Sequence, residues 1–452
     1  MAQHDMNIAN ADGATFRADA NNALAALVSN SSGATEPTTT FAYQWWADMT
    51  AGLLKIRNAA NSAWITVGTL ASAQLGHLTS ADIGSTIQAY DARLTTLAGM
   101  SASQATYAAT NMPTDGTFSF RNKIINGYMR FDQRNSGAAL NAVGSGYTNS
   151  IDRWQIYSAV AGKFNIQQNA GGVSPPAGFP FYLGATTASA YTPGAGDYNF
   201  ISQKIEADNI STWYWGQPAA KSVTLSFWVR SSLTGTHSGF IGNSALTTSY
   251  PFTFTINSAN TWEFKTITIP GSTAGSWNIT GNGIGAFVGF CLGNGSSFIA
   301  GSANAWTGAT LQAPGAQSVI GTAGATFYVA GVQLEEGSTA TPFESRPYGV
   351  ELALCQRYYQ RIGGISGNDI TIKWYAPSSG YYGTYSVPLP VEMRASPTGA
   401  VVGTWGVVNC GQPAIMVSTN KNVSIQSNAS GTGACNFYTQ NTTTYIDLPA
   451  EL

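Results

Sequence analysis

The strongest constraint on this chain is a two-residue rhythm. From about Phe118 to Val350, apolar and polar residues alternate in runs such as Val223-Thr224-Leu225-Ser226-Phe227-Trp228-Val229 and Phe264-Lys265-Thr266-Ile267-Thr268-Ile269. Successive side chains of a strand point to opposite faces, so each run can bury one face and wet the other. Turn signals separate the runs, among them Pro270-Gly271, Gly281-Asn282-Gly283 and Gly293-Asn294-Gly295. A stretch of this length predicts a two-sheet sandwich of the jelly-roll type rather than a barrel with a lumen. No repeat of fixed period runs through it, which argues against a propeller or a β-helix.

Solubility must come from neutral groups. Only 9% of the 452 residues are charged, against about 25% in an ordinary domain. Fifty glycines, with many hydroxyl and amide side chains, take their place, which suits β-sandwiches and fibrous assemblies. With 12 tryptophans, 21 tyrosines and 20 phenylalanines, a disordered chain is not expected. A formal net charge of −2 offers nothing to a polyanion, so nucleic acid is excluded as a partner. No basic cluster marks a membrane surface, and no apolar run approaches the roughly 20 residues that span a bilayer. Met1-Ala2-Gln3-His4-Asp5 lacks the basic and apolar parts of a signal peptide, so synthesis in a cytoplasm is expected. Cys291, Cys355, Cys410 and Cys435 are widely spaced and read as small core hydrophobes.

Four regions follow. Residues 1–70 combine an amphipathic helix, with Phe16, Ala20, Ala23, Leu24, Leu27 and Val28 at helical spacing from Ala14 to Asn30, and a small β-meander. The meander's runs are Phe41 to Ala47, Leu53 to Arg57 and Ala63 to Val67. So small a unit is expected to borrow burial from a partner. In residues 71–117, Ile83, Ile87, Tyr90, Leu94 and Leu97 step by 4, 3, 4, 3, the a/d stripe of a coiled coil. That stripe fits either a short parallel bundle of identical chains or a helix packed on its own chain. Residues 118–350 hold the large sandwich. In residues 351–452 a helical stripe of Leu352, Cys355, Tyr359 and Ile362 leads into short strands that predict a second, smaller sandwich. The fold class is therefore mainly β.

Chemistry is sparse. His4, His77 and His237 are scattered, and no nucleophile, phosphate-binding or dinucleotide pattern is present. Carboxylates occur in pairs such as Glu335-Glu336 and Glu206 with Asp208, but adjacent strand carboxylates face opposite ways. An enzyme is not expected, although glycoside hydrolysis asks for only two well-placed carboxylates. No cofactor is implied, and no spacing gathers the six or more oxygens of a hard-cation site. Binding is better supported. Trp213, Tyr214 and Trp215 look loop-borne, as do Trp374 and Tyr375 with Tyr381 and Tyr382 across the turn Pro377-Ser378-Ser379-Gly380. Exposed aromatic rings offer apolar faces to sugars, and they also cap sandwich ends or fill subunit interfaces.

Several strings resemble tail-fibre proteins of tailed bacteriophages and prophages. Tyr43-Gln44-Trp45-Trp46-Ala47-Asp48 with Gly52-Leu53-Leu54-Lys55-Ile56-Arg57-Asn58-Ala59-Ala60-Asn61 is similar to their N-terminal module. Asp82-Ile83-Gly84 with Ile87-Gln88-Ala89-Tyr90-Asp91 resembles their linker. Asn122-Lys123-Ile124-Ile125-Asn126-Gly127 and Asp152-Arg153-Trp154 resemble the opening of their carbohydrate-module-like sandwich. Its close is matched by Gly331-Val332-Gln333-Leu334-Glu335-Glu336-Gly337 and by Pro342 through Tyr348, followed by the helix Glu351 to Tyr359. The resemblance implies a homotrimeric virion fibre, held through residues 1–70 by tail, neck or baseplate proteins. Its distal β domains would bind a host-surface polysaccharide or lipopolysaccharide. In these strings Trp154 and Leu334 read as core, and Asp152, Arg153, Glu344 and Arg346 as bridges. A structural collar or head fibre and a polysaccharide-depolymerising tailspike are the other readings.

Overall fold

A computed structural model describes residues 3–8, 10–71 and 120–452. The chain divides into two compact units, residues 1–112 and 113–452. The heptad stripe from Ile83 to Leu97 lies outside the described residues. Among the described residues no helix is long and apolar enough to cross a membrane.

In the first unit, α1 (Gly13–Val28) starts where Asp12 accepts hydrogen bonds from the Ala14 and Thr15 amides, satisfying two donors that a helix start leaves open. The meander is β1 (Trp45–Asp48), β2 (Leu53–Arg57) and β3 (Trp64–Thr69), antiparallel in that order. Trp46 packs on Trp64 at 5.3 Å between ring centroids, and Lys55 donates to Asp48 at 2.7 Å. The helix buries only Ala23 and Ala26, while Phe16, Leu24, Leu27 and Val28 stay exposed within this unit.

The second unit is mainly β, and its large part is a jelly-roll sandwich. One sheet has six strands in the order β11 (Ser249–Ile256), β10 (Gly235–Asn243), β13 (Ile284–Cys291), β8 (Phe200–Glu206), β5 (Gln155–Ser158) and β4 (Gly146–Asn149). The other has five, β12 (Glu263–Ile269), β9 (Val223–Ser231), β14 (Thr326–Glu336), β7 (Leu183–Thr187) and β6 (Phe164–Gln168). Their facing sides carry the core, with Ile156, Ile201, Phe252, Val288 and Phe290 meeting Leu225, Phe227, Phe327 and Leu334. On the outer side of the six-stranded sheet, Gly289 lies opposite Phe240, and a Cβ there would sit 2.3 Å from the Phe240 ring. Glycine at that position is what lets the ring lie flat across the next strand.

Beyond α2 (Tyr348–Gln356) the chain forms a smaller lobe. Three three-stranded sheets share one core. They are β15 (Tyr359–Gly363) with β23 (Tyr445–Pro449) and β18 (Ala400–Val402), β16 (Thr371–Ala376) with β22 (Gly433–Tyr438) and β19 (Gly406–Val408), and β17 (Tyr382–Pro388) with β21 (Asn422–Asn428) and β20 (Ala414–Ser418). The helix is shorter than its stripe suggests. Tyr359 and Ile362 belong to β15, because pairing with β23 satisfies their backbone better than another helical turn. All four cysteines are buried and unbridged.

Polar strings join lobe and sandwich. Glu206, at the end of β8, accepts from Arg357 Nε at 3.0 Å, from Arg357 Nη2 at 2.5 Å and from the Tyr358 hydroxyl at 2.5 Å. Burial raises the Glu206 carboxyl, but these bonds outweigh it and leave its pKa lowered. Arg153 bonds Glu451, and its guanidinium lies 3.5 Å over the Tyr358 ring. Arg346 bridges to Glu351 at 3.0 Å and to Glu344 at 3.7 Å. Asp152 accepts from the Gln133 side chain at 2.6 Å. The bridging roles expected of Asp152, Arg153, Glu344 and Arg346 thus have partners, and Trp154 and Leu334 are fully buried.

Candidate functional site

The tryptophan string does not form the expected exposed loop. After β8 the chain makes a short 3-10 segment, Ala207–Trp213, and Tyr214 turns through a left-handed conformation (φ 53°). That turn points Trp213 and Trp215 inward, and both are buried in the main core. Trp215 packs at 4.7 Å on Trp213, at 4.7 Å on Trp277 and at 5.2 Å on Trp306. These rings plug one end of the sandwich, so Trp213 and Trp215 offer no face to a ligand. Only Tyr214 is exposed, at 44%, with the Lys221 ammonium 5.5 Å over its ring.

The C-terminal aromatics divide likewise. Trp374 faces inward, packing on Phe437 at 5.8 Å and against the bare backbone of Gly383. Tyr375, Tyr381 and Tyr382 are exposed, and Tyr385 joins them. Tyr375 lies on β16 and Tyr382 and Tyr385 on β17, both edge strands of their sheets.

An aromatic surface absent from the sequence expectations lies on the outer side of the six-stranded sheet. Register places Tyr147 of β4 opposite Tyr157 of β5, and Tyr157 opposite Phe200 of β8. Their rings run on, Tyr147 to Tyr157 at 4.9 Å and Tyr157 to Tyr198 at 4.3 Å, the latter pair stacked at 22°. Phe200 lies beneath, 5.6 Å from both Tyr157 and Tyr198, and Phe298 abuts Tyr198 edge-on at 4.8 Å. Tyr147 is 42% exposed, whereas Tyr157 and Tyr198 are half-buried, which fixes the rings without sealing them from solvent. Burial pushes the Tyr147 phenol up to about 12. Burial, with a bond shared with Tyr157, also raises the Tyr198 phenol. Tyr147 and Tyr198 therefore remain neutral at physiological pH. Beside them the Lys204 ammonium sits 4.2 Å over the Tyr147 ring and donates to the Leu452 carbonyl at 2.7 Å. Burial pulls its pKa down to about 8. The surface can hold a sugar by ring stacking and hydroxyl bonds.

The paired carboxylates are taken up by structural bonds. Glu335 accepts from Thr341 and Gln333, Glu336 pairs with Lys221 at 2.5 Å, Glu206 holds Arg357, and Asp208 accepts from the Gly281 amide. Among the described residues no group of three or more His, Cys, Asp or Glu side chains could hold a metal.

No protein-family model matches the chain, and no curated protein matches it. Solved structures similar to parts of it include the enzymatically active domain of tailspike protein 4 of bacteriophage CBA120, at 14% identity and a TM-score of 0.25 over 44% of this chain. The matched part is 21% of that tailspike chain. A CBM4 structure is similar at 18% identity and a TM-score of 0.25, over 47% of this chain and 98% of that one. The family 11 carbohydrate-binding module of a Clostridium thermocellum cellulase is similar at 12% identity and 0.21, over 44% and 100%. At such identities and scores, these similarities decide nothing about ligand or role.

Proposed function

We propose that this chain is a non-enzymatic subunit of a phage virion fibre, and that it holds a host-surface glycan on the tyrosine surface of its large sandwich. The observation that carries the binding role is the unbroken row Tyr147, Tyr157 and Tyr198, braced from below by Phe200. A row of fixed aromatic rings suits a neutral saccharide chain, which stacks its C–H faces on them. The apolar residues left open on α1 support attachment of the first unit to another virion protein. The fibre-like strings of the sequence support the same assignment, with homotrimers formed through the stripe Ile83, Ile87, Tyr90, Leu94 and Leu97.

The test is binding of purified full-length chain to an array of bacterial polysaccharides and lipopolysaccharides, alongside Tyr157→Ala and Tyr198→Ala. Each variant is expected to lose about tenfold in affinity, the value of one stacked aromatic contact. Undiminished binding by both variants refutes the tyrosine surface, and no binding to any glycan supports a structural collar instead. Release of reducing sugar from a bound polysaccharide refutes the non-enzymatic reading. Light scattering that gives a monomer refutes the trimer.

A further inference from the structure

The smaller lobe holds a groove of about 410 Å³ that the tyrosine surface does not reach. It lies on the outward side of the sheet β16-β22-β19 and is lined by Lys373, Val408, Ala434 and Asn436, and by Trp374 and Cys435, whose side chains pack with the core. Register explains its make-up. Lys373 lies opposite Asn436, and Asn436 lies opposite Val408, so three strands contribute one residue each to one row. In the next row Tyr375, 68% exposed, lies opposite the small side chain of Ala434. The result is a floor that includes Ala434 between Lys373 and Val408, with Tyr375 on the neighbouring row of the same sheet. Its volume falls within the range of roughly 300–1,000 Å³ that small ligands occupy.

Two features mark it as built for a polar, negatively charged guest. The Lys373 ammonium makes no ion pair or hydrogen bond with the described residues, whereas Lys421, the lobe's other lysine, pairs with Glu392 at 3.7 Å. Every carboxylate of the lobe is already engaged. Asp369 accepts from the Ile365 and Ser366 amides, Glu392 from Asn420, Asp447 from the Tyr359 hydroxyl, and Glu451 is held by Arg134 and Arg153. Lys373 is thus the one formal charge lining the groove. Second, Asn436 lines the groove beside Lys373, and its buried amide oxygen has no hydrogen-bond partner among the described residues.

We propose that this groove is a second saccharide site, selective for a sugar unit that carries a carboxylate or a phosphate. Lys373 would bond the anion, Asn436 a ring hydroxyl, and Tyr375 would lie against the sugar's apolar face. This rests on the saccharide-binding reading above and adds an acidic ligand class to the neutral saccharide proposed for the tyrosine surface. Uronic acids and phosphorylated sugars share the required chemistry.

The experiment is calorimetric titration of the full-length chain with galacturonate, glucose 6-phosphate, galactose and glucose at low and high salt. Variants are Lys373→Met, Lys373→Arg and Tyr157→Ala, each checked for unchanged melting temperature. The expected result is binding of an acidic sugar at least tenfold tighter than of its neutral counterpart, lost on Lys373→Met, largely kept in Lys373→Arg and weakened by salt. Preference for galacturonate or for glucose 6-phosphate then separates a carboxylate-bearing from a phosphate-bearing source. Tyr157→Ala is expected to leave acidic-sugar binding intact. Equal affinity for acidic and neutral sugars, or full binding by Lys373→Met, overturns the proposal. Acidic-sugar binding lost in Tyr157→Ala but kept in Lys373→Met assigns the anion to the tyrosine surface, overturning the groove and sparing that surface. Lys373-dependent binding of acidic sugar with no Tyr157-dependent glycan binding does the reverse.

Discussion

Removing the Glu206 carboxylate should loosen the smaller lobe from the sandwich. Its side chain is 4% exposed and holds both the Arg357 guanidinium and the Tyr358 hydroxyl. Glu206→Ala strands an arginine and a phenol that were paired across the junction. Breaking a buried ion pair from one side costs about 3–5 kcal/mol. Arg357 is 35% exposed, so water replaces part of what it loses, and a figure of about 3 kcal/mol is expected. Arg357→Ala should cost about 4 kcal/mol, because the carboxylate it abandons is the more deeply buried partner. The double variant should fall short of the sum by about 2 kcal/mol, the signature of direct coupling. Urea unfolding followed by tryptophan fluorescence, read at the first transition, measures all three. The pH dependence has a definite sign. The folded Glu206 pKa lies below its ordinary value despite burial, so its contribution is full above roughly pH 4.3 and is lost as pH falls through the folded value. Glu206→Gln should flatten that part of the profile. A cost below about 1 kcal/mol for Glu206→Ala, or strict additivity in the cycle, refutes the clamp.

Burial raises the Asp152 carboxyl to about 6, above its unfolded value, so its share of stability is full below about pH 3.9 and is lost as pH rises through 6. Asp152→Asn should therefore stabilise the chain at pH 7 by about 1–3 kcal/mol and change little at pH 4, as thermal melts at the two pH values would read. Gly289→Ala should cost about 1–3 kcal/mol by driving a methyl into Phe240, measurable by urea denaturation. Trp215→Ala should cost about 3–5 kcal/mol as a core cavity, while the milder Trp215→Phe should leave glycan binding unchanged in the array. Lost binding in a stable Trp215→Phe protein would reinstate that residue as a contact.

The two-residue rhythm made the strands legible. Val223–Ser231 and Glu263–Ile269 are strands of one sheet, with Val223, Leu225, Phe227, Val229, Ile267 and Ile269 turned to the core, but Thr224 and Ser226 are buried as well and Phe264 is exposed opposite Trp228. What the rhythm could not say was which residues share an outer face. Tyr147, Tyr157 and Tyr198 come from three stretches and meet only through the pairing of β4, β5 and β8, which local sequence does not encode. The tryptophan string misled for a related reason. Three aromatics beside turn residues read as a loop tip, but the left-handed turn at Tyr214 folds its two neighbours into the core. In α2 the 3, 4, 3 spacing carried past Gln356 because a helix and an ensuing strand can both place Tyr359 inward. The exposed pair Tyr381 and Tyr382 was legible because the turn Pro377 to Gly380 fixes its place locally.

The buried, unbridged cysteines bear on the chain's redox behaviour. Burial lifts the Cys291 and Cys355 thiols far above neutrality, so almost none of either exists as thiolate, the form that attacks disulfides and oxidants. With Cys410 and Cys435 also buried, no sulfur–sulfur bond contributes to cohesion. The described fold is therefore held by packing and polar contacts alone, so a change of redox potential neither completes nor undoes it, and reductants such as glutathione have no bond here to cut.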